Sequence, residues 1–433
     1  MDRELAAIIG FVCLFGLMLL RVPVGIAMGV VGVGGFAALK GWGPGLNLLI
    51  NSPLRTVTDY SLSVVPLFVL MGVFASASGM SRELFRVTRA WFGHRQGGLA
   101  VASILACGGF AAINGSSIAT AATMTKVALP EMRKAGYEPA TAAGAIAAGG
   151  TLGIIIPPSV AMLIYAILTE QDVARLFIAG ILPGILAIGL YIGTIQILAR
   201  RNKALFPTSE RQGYGVRLSA LKDVWATLLL FLIVIGAMYG GLVTVTEAAG
   251  LGAVGALLIG LARRRLTWPV IQACLVDALR TSASIFIVAV GAFLFSYFLA
   301  ITRTTQNLTA FLVDLPIGPY GVLTLLLIIY LLLGAIMDEL AIIILTIPIV
   351  FPAMMALGFD PTWFGVIMVM TVTIGLISPP VGMNVFVINS MARDIGLFKI
   401  FRGVLPFMFA DILRLILLAA FPAISLFLPN SMP

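Results

Sequence analysis

The sequence predicts an all-α polytopic membrane protein made of two inverted repeats, each holding a re-entrant helical hairpin and a discontinuous helix. Three observations carry this prediction. The chain is 60% hydrophobic and only 10% charged, against roughly 25% charged in a soluble domain, and its mean hydropathy is +1.10. Three motifs recur 222 positions apart: Leu129-Pro-Glu-Met132 with Phe351-Pro-Ala-Met354, Gly136-Tyr-Glu-Pro139 with Gly358-Phe-Asp-Pro361, and Gly153-Ile-Ile-Ile-Pro-Pro158 with Gly375-Leu-Ile-Ser-Pro-Pro380. Two otherwise apolar stretches are broken at their centres by polar residues.

So little polar surface cannot cover a fold in water, so lipid must cover it. In lipid every backbone group needs an internal partner, and the long unbroken apolar runs select helices over the alternating strands of a barrel. The net charge of +9 is no nucleic-acid signal, because the basic residues sit in short clusters between apolar runs. Cys13, Cys107 and Cys274 lie inside apolar stretches and read as small hydrophobes rather than disulfides or metal ligands. His94 is the only histidine and sits in a basic loop. A histidine-based zinc site or a Ser-His-Asp hydrolase has nothing else to build on.

Spans fall near residues 5–20, 24–39, 64–79, 140–168, 174–199, 224–243, 245–262, 270–300, 362–391 and 400–428. The first has no small-residue cleavage site and no strong basic start, and it reads as a span rather than a signal peptide. Residues 44–63 are half apolar and suit a helix lying along the membrane surface. The stretch 98–132 breaks at Asn114-Gly115-Ser116-Ser117, and 318–354 breaks at Met337-Asp338-Glu339. Each arm is about 15 residues, short of the ~20 needed to cross, so each stretch is expected to enter and leave on one side.

Arg82 to Arg95, Arg133-Lys134, Arg200 to Lys222, Arg263 to Arg265, and Arg393 to Arg402 form five basic clusters. With both hairpins re-entrant, all five fall on one side, which is then cytoplasmic. Five crossings separate the span at 24–39 from its copy at 245–262, so the second copy is inverted. The expected division is 1–223, with hairpin 98–132 and broken helix 140–168, and 224–433, with hairpin 318–354 and broken helix 362–391. Inverted repeats of this kind are the architecture of alternating-access transporters.

Four non-helical points should meet: the tips Asn114–Ser117 and Gly334–Asp338, and the breaks Gly149–Pro158 and Gly375–Pro380. Paired prolines after a glycine stop a helix and restart it, which is expected to unwind Thr151–Ile156 and Thr373–Ser378. Free carbonyls with Ser and Thr hydroxyls suit sodium. The N-termini of the restarted half-helices suit a carboxylate. The candidate sodium and substrate residues are therefore Asn114, Gly115, Ser116, Ser117, Thr151, Gly153, Pro157, Pro158, Asp338, Gly375, Ser378, Pro379 and Pro380, with Ser116, Ser117, Asp338 and Ser378 as sodium ligands. Blander readings stand beside these. Gly-Ser-Ser can be close helix packing, a double proline a simple kink, and Asp338 a helix N-cap. Glu247 is open between capping and scaffold contact, and Lys126 can snorkel.

Asn114-Gly-Ser-Ser117, Leu129-Pro-Glu-Met132, Ala135-Gly-Tyr137, Gly150-Thr-Leu-Gly-Ile-Ile-Ile-Pro-Pro-Ser159, Ala179-Gly-Ile-Leu-Pro-Gly184, Thr246-Glu-Ala-Ala249, Met337-Asp338 and Gly375-Leu-Ile-Ser-Pro-Pro-Val-Gly382 together resemble the large membrane subunit of the tripartite ATP-independent periplasmic (TRAP) transporters. The resemblance implies an elevator-type transporter in the bacterial inner membrane. It implies two partners, a small four-helix membrane subunit and a periplasmic substrate-binding protein. It also implies import of an organic acid anion, such as a C4-dicarboxylate or sialic acid, by sodium symport, with sodium as coupling ion and no other cofactor. The alternative is a stand-alone sodium-coupled anion symporter or ion antiporter with two hairpins. An enzyme is disfavoured, since Ser116 and Ser117 have no histidine or lysine expected nearby, and duplicated polar breaks disfavour a purely structural subunit.

Overall fold

The computed structural model describes residues 2–432, and no strand occurs among them. Apolar runs become helices, and their ends coincide with capping residues. The first half comprises α1 (Arg3–Leu19), α2 (Val24–Lys40), α3 (Trp42–Thr58), α4 (Val64–Ala77), α5 (Met80–Phe92), α6 (Gly98–Asn114), α7 (Ser117–Val127), α8 (Leu129–Lys134), α9 (Pro139–Ile155), α10 (Val160–Thr169), α11 (Val173–Ala179) and α12 (Ile181–Arg201). A linker holds α13 (Tyr214–Asp223). The second half comprises α14 (Trp225–Phe231), a π-helical turn (Leu232–Gly236), α15 (Ala237–Tyr239), α16 (Val245–Ala262), α17 (Trp268–Thr302), α18 (Thr304–Val313), α19 (Gly318–Gly334), α20 (Glu339–Ala356), α21 (Pro361–Gly375), α22 (Met383–Met391), α23 (Leu397–Ala420) and α24 (Ala423–Leu426). Among the described residues seven helical segments, counting α9–α10 and α11–α12 as one each, are long and apolar enough to cross a membrane; α13 and the helix after it, bent by 42°, raise this to eight.

The motif pairs are helix punctuation. Gly136 and Gly358 take φ of 82° and 84°, the left-handed conformation that ends α8 and α20 without strain on a side chain. Glu138 and Asp360 then cap α9 and α21, accepting from Thr141 N at 2.6 Å and Trp363 N at 2.9 Å. Pro139 and Pro361 occupy the first helical position, where no donor is lost. The halves also exchange contacts reciprocally. Helix α2 packs on α17 while its counterpart α16 packs on α4, and α7 packs on α22 while α20 packs on α10.

The five basic clusters are tied together by ion pairs at one end of the molecule. Arg86 pairs with Asp223, Arg89 with Glu131, Arg133 with Asp394 at 2.9 Å and Arg263 with Glu83 at 2.7 Å, while Arg217 reaches His94 Nδ1 at 3.3 Å. This is the same-sidedness that two re-entrant stretches require.

The structure differs from expectation at several points. Residues 82–92 are helical rather than loop, and α5 buries Leu84, Phe85 and Val87 while exposing Arg82 and Arg86. Helix α18 occupies a segment where no element was expected. Helix α20 has 18 residues, enough to cross by length, although Pro348 and Pro352 interrupt its hydrogen bonding. Cys13 is exposed, whereas Cys107 and Cys274 are buried. Of the two readings open for Glu247 the structure has capping: it completes a capping box with Thr244.

Candidate functional site

Each broken helix is pressed against the hairpin of its own half. The break after α9 spans Ile156–Ser159, and the break after α21 spans Leu376–Gly382. Both begin later than expected: Thr151–Ile155 and Thr373–Gly375 remain helical. A proline disturbs its own site and the residue before it, so Pro157 leaves the turns upstream intact.

The first tip is built as a cap. Gly115 ends α6 at φ 66°. Ser116 is extended and starts α7, its Oγ accepting from Ala119 N at 3.3 Å. The Ser116 carbonyl accepts from Thr120 Oγ1 at 2.7 Å and from Asn114 Nδ2 at 3.3 Å. A methyl placed on Gly153 would stand 2.4 Å from that same oxygen, and one on Gly115 would stand 2.5 Å from the Pro158 carbonyl. The tip and the break thus touch through backbone.

The second tip follows the same plan. Asp338 caps α20, its carboxylate accepting from Leu340 N at 3.3 Å, and it is the positional counterpart of Ser116. A methyl on Gly375 would stand 2.3 Å from the Gly334 carbonyl carbon. The Val381 amide donates to the Ala335 carbonyl at 3.2 Å. Pro157 and Pro158 are buried or nearly so, while Pro379 and Pro380 are exposed.

Not every sequence candidate faces a tip. Thr151 directs its hydroxyl to Ala148 O at 2.6 Å and Tyr191 Oη at 2.9 Å, inside the helix packing. Ser378 spends its hydroxyl on Ile374 O at 2.8 Å. Ser117 is fully buried, and its Oγ accepts from Asn384 Nδ2 at 2.7 Å.

Asn384 was not among the sequence candidates. It lies on α22, its Nδ2 also reaches the Ala147 carbonyl at 3.3 Å, and its Oδ1 is buried without a partner. It therefore ties the first hairpin and α9 to the restarted half-helix of the other half. Glu339 beside it in kind is 7% exposed, and its Oε2 has no partner. A second missed group is the buried set Tyr191, Asp411 and Arg414. The Tyr191 hydroxyl donates to Asp411 Oδ1 at 2.7 Å, and Arg414 Nη2 lies 3.0 Å from the same oxygen. Charged residues inside the apolar run 400–428 were the available signal.

A cavity of about 520 Å³ opens at the first tip, lined by Val73, Ser76, Asn114, Ala119, Cys274 and Asp277. Pro269 and Val270 line it as well. Among the described residues no three His, Cys, Asp or Glu side chains converge as metal ligands. A cation held at the tips would meet carbonyl and hydroxyl oxygens and, at the second tip, the Asp338 carboxylate.

A family model described as "Tripartite ATP-independent periplasmic transporter, DctM component" matches residues 11–424. The chain belongs to this family. It is a TRAP transporter large permease, a multi-pass membrane protein and not an enzyme. The C4-dicarboxylate TRAP transporter large permease of Pseudomonas aeruginosa is 38% identical over 379 residues, covering 87% of this chain and 88% of the relative. The sialic acid TRAP transporter large permease of Vibrio cholerae is 30% identical over 417 residues, covering 96% of each. Among solved structures, the Alcanivorax borkumensis YdaH transporter superposes with a TM-score of 0.65 at 16% identity, over 88% of this chain and 89% of that one. At that identity the likeness concerns the fold of the TRAP permease alone.

Proposed function

We propose that this permease imports an organic acid anion, of the carboxylate class carried by the C4-dicarboxylate and sialic acid relatives, by sodium symport across the bacterial inner membrane. A periplasmic binding protein delivers the anion, and a small four-helix subunit completes the membrane part. The observation that carries the reading is the paired tip-to-break contact, Gly153 on Ser116 and Gly375 on Gly334. It sets backbone of each tip against a glycine just before each break, near the N-termini of α7 and α10 in one half and of α20 and α22 in the other.

In this mechanism sodium draws carbonyls of tip and break onto one ion, which closes the tip. The cation offsets the negative charge of the anion, and the helix N-termini orient the carboxylate. The hairpins and broken helices, residues 98–169 and 318–391, move as one body against α2, α4, α16 and α17.

The test is uptake by the reconstituted permease and small subunit under an imposed sodium gradient, with and without the binding protein. Sodium-dependent, binding-protein-dependent accumulation is expected. Uptake without the binding protein would instead support a stand-alone symporter, and uptake driven equally by choline would remove sodium from the cycle.

A further inference from the structure

The last turn of α9, just before the first break, is braced from behind by a buried polar chain. Thr151, Tyr191, Asp411 and Arg414 come from α9, α12 and α23, and each is at most 1% exposed. The Tyr191 hydroxyl has one proton, and it goes to Asp411 Oδ1 at 2.7 Å. Between Thr151 Oγ1 and Tyr191 Oη, 2.9 Å apart, the donor is therefore Thr151, which shares its proton with the Ala148 carbonyl of its own helix at 2.6 Å. Arg414 Nη2 lies 3.0 Å from the same Asp411 oxygen. Every proton of the chain thus points toward one carboxylate oxygen, and bonds arranged in this way polarise one another. A bond to an ionised acceptor is roughly twice as strong as a neutral one, which is what the buried charge adds to a contact between two hydroxyls.

What the chain holds has little tolerance. Gly153 follows Thr151 by two positions on a continuous helix and meets the Ser116 carbonyl with no room for a methyl. Helix α12 backs the same turn a second time. Gly184 stands two helical turns before Tyr191 on one face, and a methyl on it would come within 2.7 Å of Ile156 Cγ1 in the break. Phe407 packs edge-on against the Tyr191 ring, with centroids 5.7 Å apart, and keeps it in place. The second break has no such brace. The counterpart of Thr151, 222 positions on, is Thr373, which donates to the Val369 carbonyl of its own helix. The counterpart of Tyr191 is Leu413, 47% exposed on the outer face of α23.

We infer that Tyr191 is a positioning residue for the cation site of the first tip: acting through Thr151, it fixes the last turn of α9 where Gly153 meets Ser116, so that the carbonyls of tip and break stand ready for the ion. This rests on the reading that sodium binds at the tips. Asp411 and Arg414 act one step further back, by holding the Tyr191 hydroxyl in a single direction. Charged groups in an apolar interior are costly and mark function by default, and their use here is the stiffness of one hydrogen-bonded chain that ends beside the site.

The experiment is a sodium titration of melting temperature for the permease with its small subunit, balanced with choline at equal ionic strength. In Tyr191→Phe the half-saturating sodium concentration should rise on the order of threefold to tenfold, the equivalent of one hydrogen bond lost from the bound form. Thr151→Val removes the other end of the same bond and should give the same rise. The double variant should add nothing further, because the two hydroxyls act as one unit. Tyr137→Phe is the control: it deletes a buried tyrosine hydroxyl that accepts from Leu99 N at 3.2 Å, away from the break. It should lower the melting temperature and leave the half-saturation where it was. An unchanged half-saturation in Tyr191→Phe or in Thr151→Val, additive shifts in the double variant, or an equal rise in Tyr137→Phe would overturn the inference while sodium binding itself stands. A wild type with no sodium-specific rise would overturn the reading beneath it, and the inference with it.

Discussion

Gly153 faces the Ser116 carbonyl so closely that a single methyl would stand 2.4 Å from the oxygen. Its counterpart Gly375 meets Gly334 in the same way. Gly153→Ala and Gly375→Ala should each force tip and break apart. Overpacking of this kind costs about 1–3 kcal/mol, and transport should fall further than stability does. Reconstituted uptake compared with melting temperature tests this, and an alanine variant with full uptake would show that the contact is incidental.

Asp411 and Arg414 form a buried pair, each side chain 1% exposed, with Tyr191 donating to the carboxylate. Arg414 Nε and Nη1 have no partner, so the guanidinium depends on Asp411 for compensation. Arg414→Leu alone should destabilise by about 3–5 kcal/mol, because it leaves a buried carboxylate without its counter-charge. Asp411→Leu/Arg414→Leu together should recover much of that loss. Thermal unfolding of the single and double variants decides it, and equal destabilisation in both would mean the charges are not mutually compensating.

Asp338 caps α20 and stands where the other half has Ser116. Asp338→Asn keeps an N-cap side chain of equal rank and removes a negative charge. The folded protein should persist, while the sodium-dependent rise in melting temperature, measured against choline at equal ionic strength, should shrink. An unchanged rise would remove the Asp338 charge from cation binding and leave it a cap.

At the basic end, the hydrogen bond from Lys134 and the adjacent Arg89 hold the Glu131 carboxyl below the usual range, against the opposing effect of burial. A depressed carboxylate contributes stability that is present above its unfolded pKa, about 4.3, and is lost as pH falls through the lower folded value. Wild type and Glu131→Gln should therefore differ in melting temperature near neutrality and converge below about pH 4. Parallel curves down to that pH would assign the effect to packing rather than charge.

The sequence made the repeat and the hairpins legible because their signals are covalent or compositional. Gly136, Pro139, Pro157 and Pro158 act through their own backbones, so their counterparts mark the same turns. Side-chain direction was less legible. Thr151, two positions before Gly153 on a continuous helix, points some 200° away from it, toward Tyr191 instead of the tip. Ser378 satisfies its own helix. Helix α5 was hidden because four charges, Arg82, Glu83, Arg86 and Arg89, interrupt its apolar positions and keep it from reading as a span, although Leu84, Phe85 and Val87 are buried. Asn384 has no local signature, since its meaning depends on Ser117, 267 positions away.

That long-range contact makes Asn384 one residue that ties the first tip to the second break. Its Nδ2 holds Ser117 of the first hairpin and the Ala147 carbonyl of α9, while its backbone belongs to the half-helix after the second break. The Ala147 carbonyl can only accept, which fixes the amide orientation and leaves Oδ1 as the orphan. Asn384→Leu should remove both bonds at a cost of about 1–3 kcal/mol. If the halves bind their ions cooperatively, the variant should bind sodium with a lower Hill coefficient, because motion at one tip no longer reaches the other break. Sodium titrations of melting temperature measure it. A variant that loses stability but keeps the wild-type steepness would make Asn384 a packing residue and place the coupling elsewhere in the interface of α7, α9 and α22.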